Sequence, residues 1–220
     1  MKSTGLVLKA RSYIGSATPP ASLEDESRFG NDGTFAAGVA APSWIQLPSG
    51  LWVLSFDGSD DYLTCGHSVS LHFTEAFTLE AWVKSVTAAT CYVMSKGWDL
   101  EGSWLLYLPG GENLKLYINF SGGIGIKASG EAPLTLDTWH HAVGLYDKNG
   151  TAILTAYLDG VKYEGDTQVG NFGRSDADVY VSAEGPTLDG HIALPRIYNR
   201  ALSAAEIAAR FQAERHWFGV

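Results

Sequence analysis

Cysteine, methionine and charge are all scarce in this 220-residue chain, which has two Cys, two Met and only 18% Asp, Glu, Lys and Arg together. Cys65 and Cys91 show no metal-ligand spacing. They allow at most one bridge and leave two buried free thiols equally open. Basic residues are outnumbered 15 to 24, a formal net charge of -9. That balance excludes DNA and RNA as partners, because nucleic-acid affinity comes largely from Lys and Arg displacing counterions. It suits calcium, neutral glycans or plain solubility. Long apolar runs are missing too. The segment Met1 to Arg11 carries an apolar run of three residues, too short for the core of a secretion signal, and no stretch approaches a membrane span. The expectation is a soluble chain without an export signal and without membrane insertion.

The patterns of catalysis are also lacking. Retaining glycoside hydrolysis needs two carboxylates about 5–5.5 Å apart, which a strand supplies as Glu-x-Asp-x-Glu or Glu-x-Asp-x-x-Glu. Neither occurs: Glu164-Gly-Asp166 is followed by Thr-Gln, and Glu24-Asp-Glu26 falls in an irregular stretch. No Ser/His/Asp spacing forms a hydrolase elbow, and no glycine-rich phosphate loop is present. The chain reads as non-enzymatic.

What is abundant is glycine, 25 residues, together with a period of two. Phe77, Leu79, Ala81 and Val83 share one strand face; so do Leu114, Leu116 and Ile118, and so do Leu154, Ala156 and Leu158. Turn signals separate them at Pro109-Gly-Gly111, Asp147-Lys-Asn-Gly150 and Asp159-Gly160, the last spaced as a two-residue hairpin. Strands at this spacing mean an all-β sandwich. No linker or repeat divides the chain, so residues 1–220 read as a single domain. One helix is expected at the C-terminal end: Ser203 and Glu206 form a capping box, with Ile207 and Phe211 one turn apart behind it.

Several blocks carry a resemblance. They are Asp25-Glu-Ser-Arg-Phe-Gly-Asn-Asp-Gly-Thr34, Leu54-Ser-Phe-Asp-Gly-Ser-Asp-Asp-Tyr-Leu63, Phe77-Thr-Leu-Glu-Ala-Trp-Val-Lys84, Thr138-Trp-His-His-Ala-Val143, Tyr157-Leu-Asp-Gly160 and Ile197-Tyr-Asn-Arg-Ala-Leu202. In this order they resemble laminin-G-like domains of the concanavalin A-like lectin/glucanase superfamily. The resemblance implies a jelly-roll sandwich of two antiparallel sheets, commonly with a bound calcium and commonly binding carbohydrate or protein at surfaces. It does not name a ligand, because function belongs to a site and not to a fold.

Calcium takes six to eight oxygens on a bent segment, and Asp25, Glu26, Asn31 and Asp32 offer four in one glycine-containing loop. Asp25, Asn31 and Asp32 are the candidate ligands of a structural calcium. The family's loop is often completed by acids before the closing-strand arginine, where this chain instead has Ile192-Ala-Leu-Pro-Arg196. Arg28 also stands where a glycine is usual. The alternative is that Asp25 and Ser27 are turn residues bonding their own backbone. Asp57, Asp60 and Asp61 read as a structural cluster about the turn at Gly58.

Aromatic side chains supply the candidate ligand site. Trp82, Tyr117 and Tyr157 alternate with the apolar stripes of their strands, with Tyr107 and Tyr180 as further members, and such rings can stack on sugars. Loops or the C-terminal helix could instead cover them, the reading favoured for Trp82. Trp98 and Trp104 flank Asp99 and Glu101 on a loop that would both stack on a sugar and accept its hydroxyls; alternatively Trp104 begins a strand and points into the core. Of His140 and His141, facing opposite ways, one is expected to be buried beside Trp139 and the other at the surface. Trp98, Asp99, Trp104, Tyr117 and Tyr157 are therefore the candidate ligand-binding residues.

Two functions follow. The first is a lectin-like module, calcium-assisted or not, that binds carbohydrate at a surface. The second is an assembly piece, such as a virion or cell-surface decoration protein that contacts other proteins and forms oligomers. The expected location is extracellular or on a virion surface, reached without a signal peptide.

Overall fold

The computed structural model describes residues 5–97, 100–122, 125–170, 172–182 and 186–220. The strands, in chain order, are β1 Leu6–Lys9, β2 Ser22–Leu23, β3 Gly33–Phe35, β4 Ser43–Gln46, β5 Trp52–Asp57, β6 Tyr62–Thr64, β7 Ala76–Ser85, β8 Cys91–Lys96 and β9 Trp104–Leu108. There follow β10 Asn113–Phe120, β11 Gly125–Ala128, β12 Ala132–Pro133, β13 His140–Asp147, β14 Ile153–Leu158, β15 Val161–Thr167, β16 Val179–Ser182 and β17 Asp189–Tyr198, then helix α1, Ala204–Phe218.

They form two antiparallel sheets. The eight-stranded sheet runs β15-β14-β13-β7-β17-β5-β4 with β1 beside β17; the nine-stranded sheet runs β11-β10-β9-β8-β16-β6-β3-β2 with β12 beside β10. The alternation in the sequence dictates what lies between them. Phe77, Leu79, Ala81 and Val83 of β7 meet Leu114, Leu116 and Ile118 of β10 and Leu154, Ala156 and Leu158 of β14 in one apolar core. Cys65 and Cys91 are both free and buried, and loss of hydration pushes each thiol up to about 12, which leaves them inert.

The hairpin at Asp159-Gly160 has positive φ at both residues, 52° and 82°, the pattern of a type I′ turn. Where β15 passes the segment between β11 and β12 the backbones come almost into contact: a Cβ on Gly165 would lie 2.3 Å from the carbonyl carbon of Ser129. Only glycine permits that approach, and it closes one edge of the sandwich.

Helix α1 begins at the expected box. The Ser203 side chain accepts from the Glu206 amide, the Glu206 carboxylate accepts from Ser203 N–H, and Gly219 ends the helix in the left-handed region. α1 lies on the outer face of the eight-stranded sheet. There Phe211 and Phe218 stack on Trp82 with ring centroids 5.8 and 4.1 Å away, and Ile207 joins Val143, Tyr157, Tyr198 and Leu202. Because of this cover β7 is buried on both faces: all of Phe77 to Val83 is inaccessible. No helix of the described residues is long and apolar enough to cross a membrane.

Candidate functional site

The two outer faces of the sandwich have opposite chemistry. Beneath α1 lies a buried ionic cluster. Glu80 of β7, His141 of β13 and Arg196 of β17 project toward the helix, which contributes Glu214 and Arg210. Arg196 donates to Glu214 Oε1 at 2.6 Å and Oε2 at 3.2 Å, and to Glu80 Oε1 at 3.3 Å. His141 Nε2 lies 2.9 Å from Glu80 Oε1, Tyr198 donates its hydroxyl to Glu80 at 3.2 Å, and Trp82 Nε1 donates to Glu214 at 2.8 Å. Burial alone would push the Glu80 carboxyl up, but Arg196, His141 and Arg210 hold it down at about 2. Burial likewise opposes the Arg196 charge, and Glu80 and Glu214 keep it above its ordinary value.

A bulge makes this register possible. Between Ala193 and Arg196 the pairing of β17 with β7 shifts, Leu194 adopting φ 51°, so that Arg196 falls opposite Glu80. Glu80, His141 and Glu214 together have a metal-like spacing, but the Arg196 guanidinium is already bonded to both carboxylates, so the group does not fit a further cation.

Among the described residues no α-helix lies over the outer face of the nine-stranded sheet. Five strands adjacent in the sheet, β6, β16, β8, β9 and β10, each place one tyrosine there: Tyr62, Tyr180, Tyr92, Tyr107 and Tyr117. The rings meet edge to face, Tyr62 with Tyr180 at 5.7 Å, Tyr92 with Tyr107 at 6.3 Å and Tyr107 with Tyr117 at 6.0 Å. Leu105, on the same face and opposite Tyr117 in the register of β9 and β10, packs among Tyr92, Tyr107 and Tyr117. All but Tyr92 keep part of their surface in solvent. At about 4.8 Å per strand, the belt spans about 19 Å. Burial raises the Tyr107 hydroxyl, so it stays protonated and able to donate. Lys115, beside Tyr107 on the same face, is matched by Glu131 at 2.7 Å.

The aromatic positions named from sequence therefore separate. Tyr117, with Tyr107 and Tyr180, lies on the open belt; Tyr157 and Trp82 lie under α1. Tyr157 is 5% exposed, which corrects its expectation as a ligand residue: the helix that caps β13 and β14 covers the ring. Trp104 is also corrected. It begins β9 facing inward, fully buried against Phe73 and Phe77, and has no face to offer a sugar. Trp98 and Asp99 lie outside the described residues. His140 and His141 are both buried, so neither is at the surface; His140 Nδ1 is 2.7 Å from Asp159 Oδ2 across the hairpin. Tyr62, Tyr92 and the Glu80 cluster were not singled out from sequence. The available signals were the period-two position of each tyrosine and the lone charge in the middle of β7.

Asp25, Asn31 and Asp32 come together, but not as a calcium cage. Asp25 Oδ1 accepts from the amides of Lys9 and Ser27, both at 2.8 Å; Oδ2 accepts from Ser27 Oγ at 2.7 Å and the Asn31 amide at 2.8 Å. All four of its acceptor positions are taken by protein donors. Asp32 Oδ1 accepts from the Asp25 amide at 2.7 Å. Asn31 turns its side-chain N–H groups to Val7 O and Ser70 Oγ, and Glu26 pairs with Lys9. The donor set does not fit calcium; it is a hydrogen-bonded hub that ties the loop to β1. In the second acidic cluster Asp57 accepts from the Ser59 amide and Asp61 from the Asp57 amide, both at 2.9 Å.

No curated protein matches this chain. Among solved structures, it is similar to the binding domain of Paraclostridial Mosquitocidal Protein 1, with TM-score 0.73 and 14% identity over 98% of this chain and 55% of that one. It is also similar to the Botulinum neurotoxin serotype G binding domain, at TM-score 0.70 and 15% identity over 95% and 51%. A third is the binding domain of Botulinum neurotoxin DC in complex with SialylT, at TM-score 0.69 and 10% identity over 96% and 52%. The chain spans about half the length of these solved chains, and identities this low speak for the fold alone. Residues 57–208 match a laminin-G family model, well over half of the sequence, and so the chain belongs to the concanavalin A-like lectin/glucanases superfamily.

Proposed function

We propose that this chain is a non-catalytic binding module for neutral carbohydrate, and that its contact surface is the tyrosine belt across β6, β16, β8, β9 and β10. The belt carries the reading. Half-exposed phenol rings offer apolar faces and edges to the C–H surfaces of sugar rings while their hydroxyls exchange hydrogen bonds with sugar hydroxyls. The matched Lys115–Glu131 pair leaves this part of the face without a net charge to attract an acidic ligand. Structures of the same fold that are binding domains, one of them solved in complex with SialylT, support a binding role. Location at a surface where glycans are displayed belongs to the same proposal.

The test is a glycan array of the purified protein, run with and without calcium, alongside Tyr107→Ala and Tyr117→Ala variants. Binding to a defined neutral glycan in both conditions, weakened in both variants, supports the reading. A blank array overturns it in favour of protein assembly.

A further inference from the structure

At the end of the core where β8 runs out, three buried nitrogen-bearing side chains have one hydrogen-bond acceptor between them among the described residues. Lys96 points inward and is 1% exposed, yet among the described residues its ammonium has one hydrogen-bond partner, the carbonyl of Ala177 at 2.8 Å. No carboxylate of the described residues lies within 4 Å of it. Trp104, opposite Lys96 in the register of β8 and β9, is fully buried with its indole N–H unpartnered. His72 precedes Phe73, whose ring packs against Trp104; its side chain is nine-tenths buried and its Nε2 is also unpartnered. The loop Ser175–Ala177 joins them: Ala177 O accepts a hydrogen bond from Lys96 Nζ and Asp176 approaches His72 Nε2 at 3.8 Å.

A buried cation needs a counter-charge, and the nearby acids are engaged elsewhere. Asp176 is largely exposed and bonded to Arg174 at 3.0 Å; Asp178 faces His67 at 2.6 Å and Thr64 at 3.2 Å. Burial lowers the Lys96 ammonium to about 8, so it remains mostly charged at neutral pH, and burial lowers His72 as well, which keeps its ring neutral. Ammonium and indole are donors only. Among the described residues the Lys96 ammonium is bonded to one acceptor, Ala177 O, and the Trp104 indole to none, which favours a group that accepts from several donors and carries negative charge.

We propose that Lys96, Trp104 and His72 form a binding site for a small monovalent anion of chloride size, enclosed by the loop Ser175–Ala177. Bound there, the anion would tie that loop to the end of β8, next to the strand that carries Tyr180, and so stiffen one flank of the tyrosine belt.

Two measurements on the intact chain decide it. The first compares thermal melting in sodium chloride with sodium gluconate at equal ionic strength. A site for chloride gives a saturable rise of a few degrees, lost in Lys96→Met. The second locates bromide by anomalous scattering in crystals of the unmutated protein, so that a poorly folding Lys96→Met leaves the question open to an answer. A bromide peak within hydrogen-bond reach of Lys96 Nζ and Trp104 Nε1 is expected. Identical melts in the two salts, or a halide-insensitive water at that position, would overturn the proposal.

Discussion

The two outer faces of this sandwich are built from the same kind of strand but solve different problems. The face of the eight-stranded sheet carries Glu80, Arg196 and His141 between apolar patches, and helix α1 closes over it, so its charges are stable only as a completed set. The face of the nine-stranded sheet carries neutral hydroxyl-bearing rings that tolerate water on one side and need no cover. Buried ionic groups fix the position of an element; half-exposed aromatic groups keep part of their surface in solvent. The contrast assigns stability to the first face and makes the second the one on which we propose recognition.

The largest effect should come from opening the covered face. Glu80→Ala leaves Arg196 with one carboxylate and Arg210 and His141 without their partner, and removing one member of a buried pair costs about 3–5 kcal/mol. Denaturant midpoints would check this; a loss below about 1 kcal/mol would mean that water reaches the cluster. Acid tests the same cluster without mutation. Glu80 is held at about 2 in the folded chain against an ordinary 4.5, so the unfolded chain takes up its proton first as pH falls. Its contribution, on the order of 3 kcal/mol, is fully present above about pH 4.5 and is lost as pH falls from there through about 2. Glu80→Gln should flatten that part of a stability–pH curve.

Much of this was legible from residues alone. The period of two in β7, β10 and β14, the turn at Asp159-Gly160 and the box at Ser203 and Glu206 are local signals that the tertiary structure reinforces. The failures were of another kind. Period two says that Trp82, Tyr117 and Tyr157 point away from the core, but whether a helix lies over them depends on where residues 204–218 pack, which no strand pattern encodes. The acids of the Asp25 loop are similar: composition counts oxygens, while the fold decides whether they are already bonded. Asp25→Ala should therefore cost about 2–3 kcal/mol through the donors it strands, while chelator leaves the melting temperature unchanged. A chelator-induced drop would restore calcium to the loop.

The smallest expected effect falls on the open face and separates it most sharply from the covered one. Tyr117 packs beside Leu105 and meets Tyr107 at 6.0 Å, with part of its ring in solvent, so Tyr117→Ala should cost stability only about 1 kcal/mol. If the belt binds sugar, the same change should weaken a neutral glycan about tenfold, equivalent to about 1.4 kcal/mol, with Tyr117→Phe retaining the ring contact and losing only what the hydroxyl gives. Titration calorimetry with a glycan found on the array, beside a melt of each variant, measures both quantities. The pattern to expect is binding lost with stability nearly kept, the inverse of Glu80→Gln, which should lose stability and keep binding under conditions where it remains folded. Equal binding by Tyr117→Ala and the unmutated chain would move recognition off the belt, and a collapse of the fold would show that this face, like the other, is a structural one.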